Sequence, residues 1–289
     1  MFSINFRNIN VMFAILAAIS WSIAATSSAL AFSAGSGIIM LLFVRFFITF
    51  IVSFVVDISS KKTQTNTPYL RLFVISICTT FFISAYMSAI ELLPISIAVS
   101  VVYTFPVLTF FANSIVKSRS IDILSAAALF VSLFGIWLLS DSDTNGWNIF
   151  GVLFAFGAAA SQTVINIVSR HKSIVPGWGL MKYIMAMPTA LFTFLFIIND
   201  PQVSTLAVTW CFISALGMIG GCYFFYHSIA KVGPVRTSNI MYLEPVFTIA
   251  IGVLFLNNII GPFQWLGIAV IIGATLVLEL WGKRYRVID

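Results

Sequence analysis

The chain states one pattern twice, and this repetition constrains its fold more than any other feature. The segment AIELLPISIAVSVVYTFPV at 89–107 returns as SIAKVGPVRTSNIMYLEPV at 228–246. At this offset of 139 residues Ile90 pairs with Ile229, Tyr103 with Tyr242, Pro106 and Val107 with Pro245 and Val246, and Thr109 with Thr248. One ancestral half has been duplicated. A repeat of apolar, proline-interrupted segments points to a membrane transporter whose central site lies at the interruptions.

Composition decides between lipid and water as the surrounding solvent. Hydrophobic residues make up 60% and charged residues 8% of the chain, against roughly a quarter charged in soluble domains. The surface must therefore face lipid. Ten apolar spans are read near 9–31, 36–56, 70–91, 95–116, 122–140, 148–169, 178–198, 204–230, 235–256 and 262–281, each approaching the roughly 20 residues a helix needs to cross a bilayer. Runs such as IMLLFVRFFITFIVSFVV are apolar on every side, whereas porin-like strands alternate polar and apolar residues over about 10-residue segments. The first span is too long for a signal-peptide core and is expected in the mature protein.

Lysine and arginine set the orientation. With span ends numbered alternately, one side carries Arg7, Lys61, Lys62, Arg71, Lys117, Arg119, Arg170, Lys172, Lys231, Arg236, Lys283, Arg284 and Arg286. The other side carries Glu91, Asp141, Asp143 and Asp200 instead. The positive-inside rule then places both termini in the cytoplasm of a bacterial inner membrane. The basic balance is a topology signal, without the basic stripe of a nucleic-acid binder. Cys78, Cys211 and Cys222 all fall inside spans without metal-ligand spacing, so packing is expected of them, and no metal or cofactor is implied.

Two halves, 1–140 and 141–289, hold five spans each. An odd number makes the second copy enter the membrane from the opposite face, so the repeats are inverted about an axis in the membrane plane. The expected fold is an all-α integral membrane protein of ten transmembrane helices in two inverted five-helix repeats.

The five-plus-five layout, the SWS sequence at Ser20–Ser22, the stretch ending in YTFPV and its counterpart ending in YLEPV together resemble the drug/metabolite transporter superfamily, and its EamA-type members in particular. The resemblance covers nearly the whole chain. It implies transport of small metabolites and a central cavity lined by spans one, three, four, six, eight and nine. It also implies a homodimer in some members, supported by the short fifth and tenth spans. One departure is that Phe105 stands in the first half where Glu244 stands in the second, so coupling by two equivalent acids is not expected.

Ionisable residues inside a bilayer cost some 2.5 to 3.5 kcal/mol or more unless paired or hydrated, and Arg45 and Glu244 are the two near span centres. The functional reading is that Glu244 binds a substrate cation or a proton while Arg45 holds a substrate carboxylate or balances the glutamate. The bland reading is a buried Arg45–Glu244 ion pair, or a Glu244 held by backbone beside Pro245. Pro106 and Pro245 are the expected hinges, because each leaves the carbonyl four residues earlier, Val102 or Met241, without its helical partner. On a straight helix Glu244 and Tyr242 point to nearly opposite sides, about 200 degrees apart. Tyr242 shares its face with Ser238 and Asn239, and Glu244 shares its face with Thr237, Met241 and Thr248, so polarity does not choose between them.

Polar stripes at helical spacing run through Gln162, Asn166 and Arg170, through Ser84, Ser88 and Glu91, and through Gly220, Tyr223, His227 and Lys231. Such stripes turn away from lipid, either to a cavity or to helix packing. Trp147, Trp178, Trp265 and Trp281 are expected as interfacial anchors, while Trp21, Tyr86 and Tyr103 fall on spans that the resemblance puts around the cavity. The candidate substrate residues are therefore Trp21, Arg45, Tyr86, Tyr103, Gln162, Asn166, Asn239, Tyr242 and Glu244. No Walker loop, metal motif or paired nucleophile is present. The expected function is secondary-type carriage of a small polar or zwitterionic metabolite, an amino acid or related amine. The alternatives are a larger cofactor- or nucleotide-like solute and, in another class, a polytopic receptor or enzyme.

Overall fold

In lipid every backbone polar group must be satisfied within its own segment, which drives long apolar stretches into helices. The computed structural model describes residues 6–59, 68–93, 95–117, 122–139, 148–199, 204–256 and 261–281, and they fold as twelve helices. These are α1 (Phe6–Ser33), α2 (Ile38–Ser59), α3 (Tyr69–Leu92), α4 (Ile95–Val102), α5 (Phe105–Lys117), α6 (Ile123–Leu139), α7 (Ile149–Ser169), α8 (Trp178–Asn199), α9 (Thr205–Val232), α10 (Pro234–Ile240), α11 (Leu243–Leu256) and α12 (Pro262–Trp281). Among the described residues nine segments are long and apolar enough to cross a membrane, and the 17-residue α6 is a shorter apolar helix.

Twelve helices make ten spans because spans four and nine are each split. Tyr103 and Thr104 separate α4 from α5, and Met241 and Tyr242 separate α10 from α11. Both breaks contain the repeated tyrosine, three residues ahead of the repeated proline. This corrects the hinge expectation in detail. Pro106 and Pro245 sit in the first turn of α5 and α11, where a helix does not need the missing N–H. They start the second half-helix rather than kink a continuous one. The Met241 carbonyl is not left free, since it accepts from the Glu244 amide at 3.0 Å.

The packing follows the duplication. The main partners are α1 with α9, α3 with α7, α2 with α8, and α6 with α12, so every pair joins one repeat to the other. Exchanging the repeats turns the α1–α9 pair into the α7–α3 pair and returns the other two pairs to themselves, as a pseudo-two-fold axis requires. Small residues let the backbones approach. Gly217 and Gly221 of α9 lie against Ser20, Trp21 and Ala24 of α1, and Gly135 and Gly267 face each other between α6 and α12. Ser214 Oγ donates to the Ala24 carbonyl at 3.0 Å and lies 2.8 Å from Ser28 Oγ.

The helix ends are defined by local chemistry. Asn148 caps α7 by accepting from the Phe150 amide, and Ser204 caps α9 by accepting from the Ala207 amide. Gly233, at φ 84°, turns the chain from α9 into α10, where Pro234 opens the new helix. Phe54, Phe73, Phe134, Phe194 and Leu254 stand exposed on the outer faces, as lipid-facing side chains do. Lys61, Lys62, Arg119, Asp141, Asp143, Trp147, Asp200, Lys283, Arg284 and Arg286 lie outside the described residues, as do the side chains of Arg7, Glu91 and Trp281.

Candidate functional site

One central cavity lies where the repeats meet, with about 90 Å³ of space. This is several times the roughly 10–15 Å³ that admits a single water, so the cavity has room for a small solute. Five predicted residues line it: Trp21 from α1, Arg45 from α2, Tyr86 from α3, Gln162 from α7 and Glu244 from α11. Glu244 is the second residue of α11, just after the break, and lines the cavity. Tyr242 is not among the lining residues; it is fully buried and stacks on Tyr103 with ring centroids 6.3 Å apart.

Arg45 is 3% exposed and poorly satisfied by protein. Its Nη1 reaches Ser28 Oγ only at 3.4 Å, a long hydrogen bond. Its Nε has no partner among the described residues. The guanidinium lies 5.9 Å from the Trp21 ring centroid, within cation–π range. No ion pair joins Arg45 to Glu244 among the described residues, so the bland reading of a direct pair does not hold. The Tyr103 hydroxyl is turned to the Glu244 carboxylate, which places Tyr103 behind the acid rather than on the wall.

Three further predicted residues sit away from the cavity wall. Asn239 lies in the last turn of α10 and Tyr242 within the α10–α11 break, and neither Asn239 Oδ1 nor Tyr242 Oη has a partner among the described residues. Asn166 lies one turn behind Gln162, whose amide donates to Asn166 Oδ1 at 3.2 Å. The other two stripes also do other work. On α3 the cavity face runs through Thr79, Ile83 and Tyr86, not through Ser84 and Ser88. On α9, Tyr223 stacks on Trp178 at 4.7 Å and on His227 at 4.2 Å, while Gly220 abuts Ser20 of α1.

The lining residues missed in the sequence had a usable signal. Phe105 and Glu244 occupy equivalent positions of the repeat, and both line the cavity. So do Ile83 and Cys222, Tyr86 and Phe225, and Met87 and Tyr226, each pair 139 residues apart. Applying the offset to Tyr86 alone would have found Phe225. Cys222 is thus a cavity residue as well as a packing one.

A fold of paired, inverted five-helix repeats around a central polar-tipped cavity defines a multi-pass membrane protein of carrier architecture. The chain belongs to the EamA-like transporter family, whose pattern matches it twice, over residues 8–141 and 145–280. It is 26% identical over 172 residues to the uncharacterized transporter YwfM of Bacillus subtilis (strain 168), a match that covers 55% of each chain. It is also 30% identical over 77 residues to a solute carrier family 35 member B1 homolog of Drosophila melanogaster, covering 26% of this chain and 23% of that protein. The matches thus span about half of the first relative's length and about a quarter of the second's. A solved chain described as "Crystal structure of protein" superposes with a TM-score of 0.80 over 96% of this chain and 99% of that one, at 19% identity, which bears on the fold alone.

Proposed function

We propose that this protein is a secondary-type carrier that moves a small zwitterionic metabolite, an amino acid or a closely related amine, by alternating access. One observation carries the reading. A guanidinium and a carboxylate line the same cavity without pairing with each other. Among the described residues neither charge has an ion-pair partner of opposite sign to offset its desolvation, and a ligand bearing both an ammonium and a carboxylate supplies both at once. In this reading Arg45 takes the carboxylate, Glu244 takes the ammonium with Tyr103 behind it, and Trp21, Tyr86 and Gln162 cover and orient the ligand.

The cavity's size supports a small solute over a nucleotide-like one. Its cations support the same choice, because Arg45 is the cation lining it while Arg170 is engaged with Asn113 at 2.8 Å. The reading extends to repeats bounded at 1–140 and 141–289, both termini in the cytoplasm of a bacterial inner membrane, and no enzymatic turnover of the solute.

The test is a thermal-shift screen of the purified carrier against a metabolite library, followed by counterflow in proteoliposomes for each stabilising compound. Amino acids should stabilise the protein more than their decarboxylated amines or their amides, and Arg45→Met should remove that preference. Stabilisation by nucleotides alone, or formation of a product from the solute, would refute the reading.

A further inference from the structure

The polar stripe Gln162, Asn166, Arg170 does not face water or ligand along its length. It closes like a zipper on α5. Asn166, fully buried, donates from Nδ2 to Thr109 Oγ1 at 3.0 Å and to Ser238 Oγ at 2.8 Å. One turn further on, Arg170 donates to Asn113 Oδ1 at 2.8 Å. One turn earlier, Gln162 donates to Asn166 and also lines the cavity. Hydrogen bonds on successive turns of α7 therefore step from the cavity wall toward the face that carries Lys117, Arg170 and Arg236. They tie α5 of the first repeat to α7 and α10 of the second.

The inverted repeat makes this tie informative. Thr109 and Ser238 correspond to Thr248 and Val99 at the repeat offset. Thr248 Oγ1 donates to its own helix at the Glu244 carbonyl, 3.0 Å away, and Val99 has no polar group. The bond to Ser238 thus has no equivalent on the other face. In a scaffold that interconverts its halves, this particular tie therefore belongs to one mouth and is not reproduced at the offset positions of the other.

We infer that Asn166 is a positioning residue for the transport cycle: it locks the mouth on the Arg170 face shut and biases the carrier toward the conformation closed on that side. This rests on the alternating-access reading above, but not on the identity of the ligand. Buried side-chain amides satisfied by both repeats hold as a unit, and losing one partner leaves the others unpaired. Opening that mouth requires Asn166 to release Thr109 and Ser238. Gln162 is the residue through which an occupant of the cavity would act on that bond.

Cys222 on the cavity wall is a native reporter. In a Cys78→Ser, Cys211→Ser background, a membrane-impermeant methanethiosulfonate is applied to each face of membrane vesicles of both orientations, and the labelling rate of Cys222 is read by mass spectrometry. Asn166→Ala should raise the rate from the Arg170 face by at least about tenfold relative to the other face, as the loss of two buried hydrogen bonds implies. The Thr109→Val, Ser238→Ala double variant leaves Asn166 in place and should give the same shift, which covers the case in which Asn166→Ala fails to fold. An unchanged ratio in the folded variants, or no labelling from that face, overturns the assignment. Neither result bears on ligand stabilisation of the unmodified carrier, so the lock and the zwitterion site fail separately.

Discussion

Gly217 offers the most direct test of how the repeats are held together. A Cβ built there would lie 2.7 Å from the Ala24 amide nitrogen, 2.8 Å from the Ser20 carbonyl oxygen and 3.0 Å from Ala24 Cα. All three are backbone atoms, so no side chain can rotate away. Unstrained contacts begin near 3.5 Å, and α1 must therefore retreat from α9 by roughly 0.8 Å. Such overpacking typically costs about 1–3 kcal/mol. Gly273 supplies the control, because an added Cβ there meets nothing within 4 Å. The gain in helix propensity on replacing glycine by alanine is shared by both sites, so the difference between Gly217→Ala and Gly273→Ala isolates the steric cost. At about 2–4 °C per kcal/mol for chains approaching this size, it should appear as a melting temperature lower by roughly 2–12 °C in Gly217→Ala. The assay is fluorescence-monitored unfolding of the purified proteins in one detergent. Equal melting temperatures, within about 1 °C, would refute the close α1–α9 crossing.

Three further outcomes follow from the same geometry. Because Arg45 and Glu244 are not paired, Glu244→Gln should fold and reach the membrane normally yet bind a zwitterion about 10- to 150-fold more weakly, the worth of one charge-assisted hydrogen bond; recovery of transport on adding Arg45→Met would sink the site assignment. Replacing Pro106 or Pro245 by alanine lets α4–α5 or α10–α11 run on as one helix, so counterflow should slow while ligand stabilisation is kept; unchanged counterflow in both variants would remove the breaks from the mechanism. Cysteines introduced at Asn145 and Thr65, both outside the described residues, should label from opposite faces of the membrane, and labelling from one face would end the inverted topology.

Much of the fold was legible because lipid removes alternatives. A run of apolar residues near twenty long has one way to satisfy its backbone, so the ten spans could be read within a few residues of their observed ends. The break positions were legible only in part. The prolines marked the right segments, but the chain unwinds at the tyrosines ahead of them, because a proline is at ease in a helix's first turn and the strain falls on the residues before it. Of the candidate site, Arg45 and Glu244 stood out because charge inside a bilayer is rare. Helical spacing leaves Asn166 between cavity and packing and leaves Tyr242 and Glu244 undecided, because it assumes a straight helix and says nothing of what the neighbouring helix offers. Thr109 and Ser238 captured the Asn166 amide, and the turn at Met241–Tyr242 rotated Glu244 to the cavity in place of Tyr242.

The two cavity charges both stand at places where the repeat is broken chemically. Glu244 corresponds to Phe105, and Arg45 corresponds to Ile184, which is fully buried. The scaffold is thus near-symmetric while its charged groups are not. Inverted symmetry supplies two conformations that exchange inside and outside, but a symmetric site would present equivalent poles to a ligand in either orientation. Placing the cation on α2 and the anion on α11, each opposite an apolar counterpart, lets a ligand with two unlike ends bind one way round throughout the cycle. Swapping the Phe105 and Glu244 side chains tests this directly. Phe105→Glu with Glu244→Phe restores the carboxylate to the cavity at the symmetric position, yet moves it relative to Arg45. A zwitterion should then lose its stabilising effect although the net charge of the site is unchanged, whereas retention of that effect would mean that charge alone, without placement, governs binding.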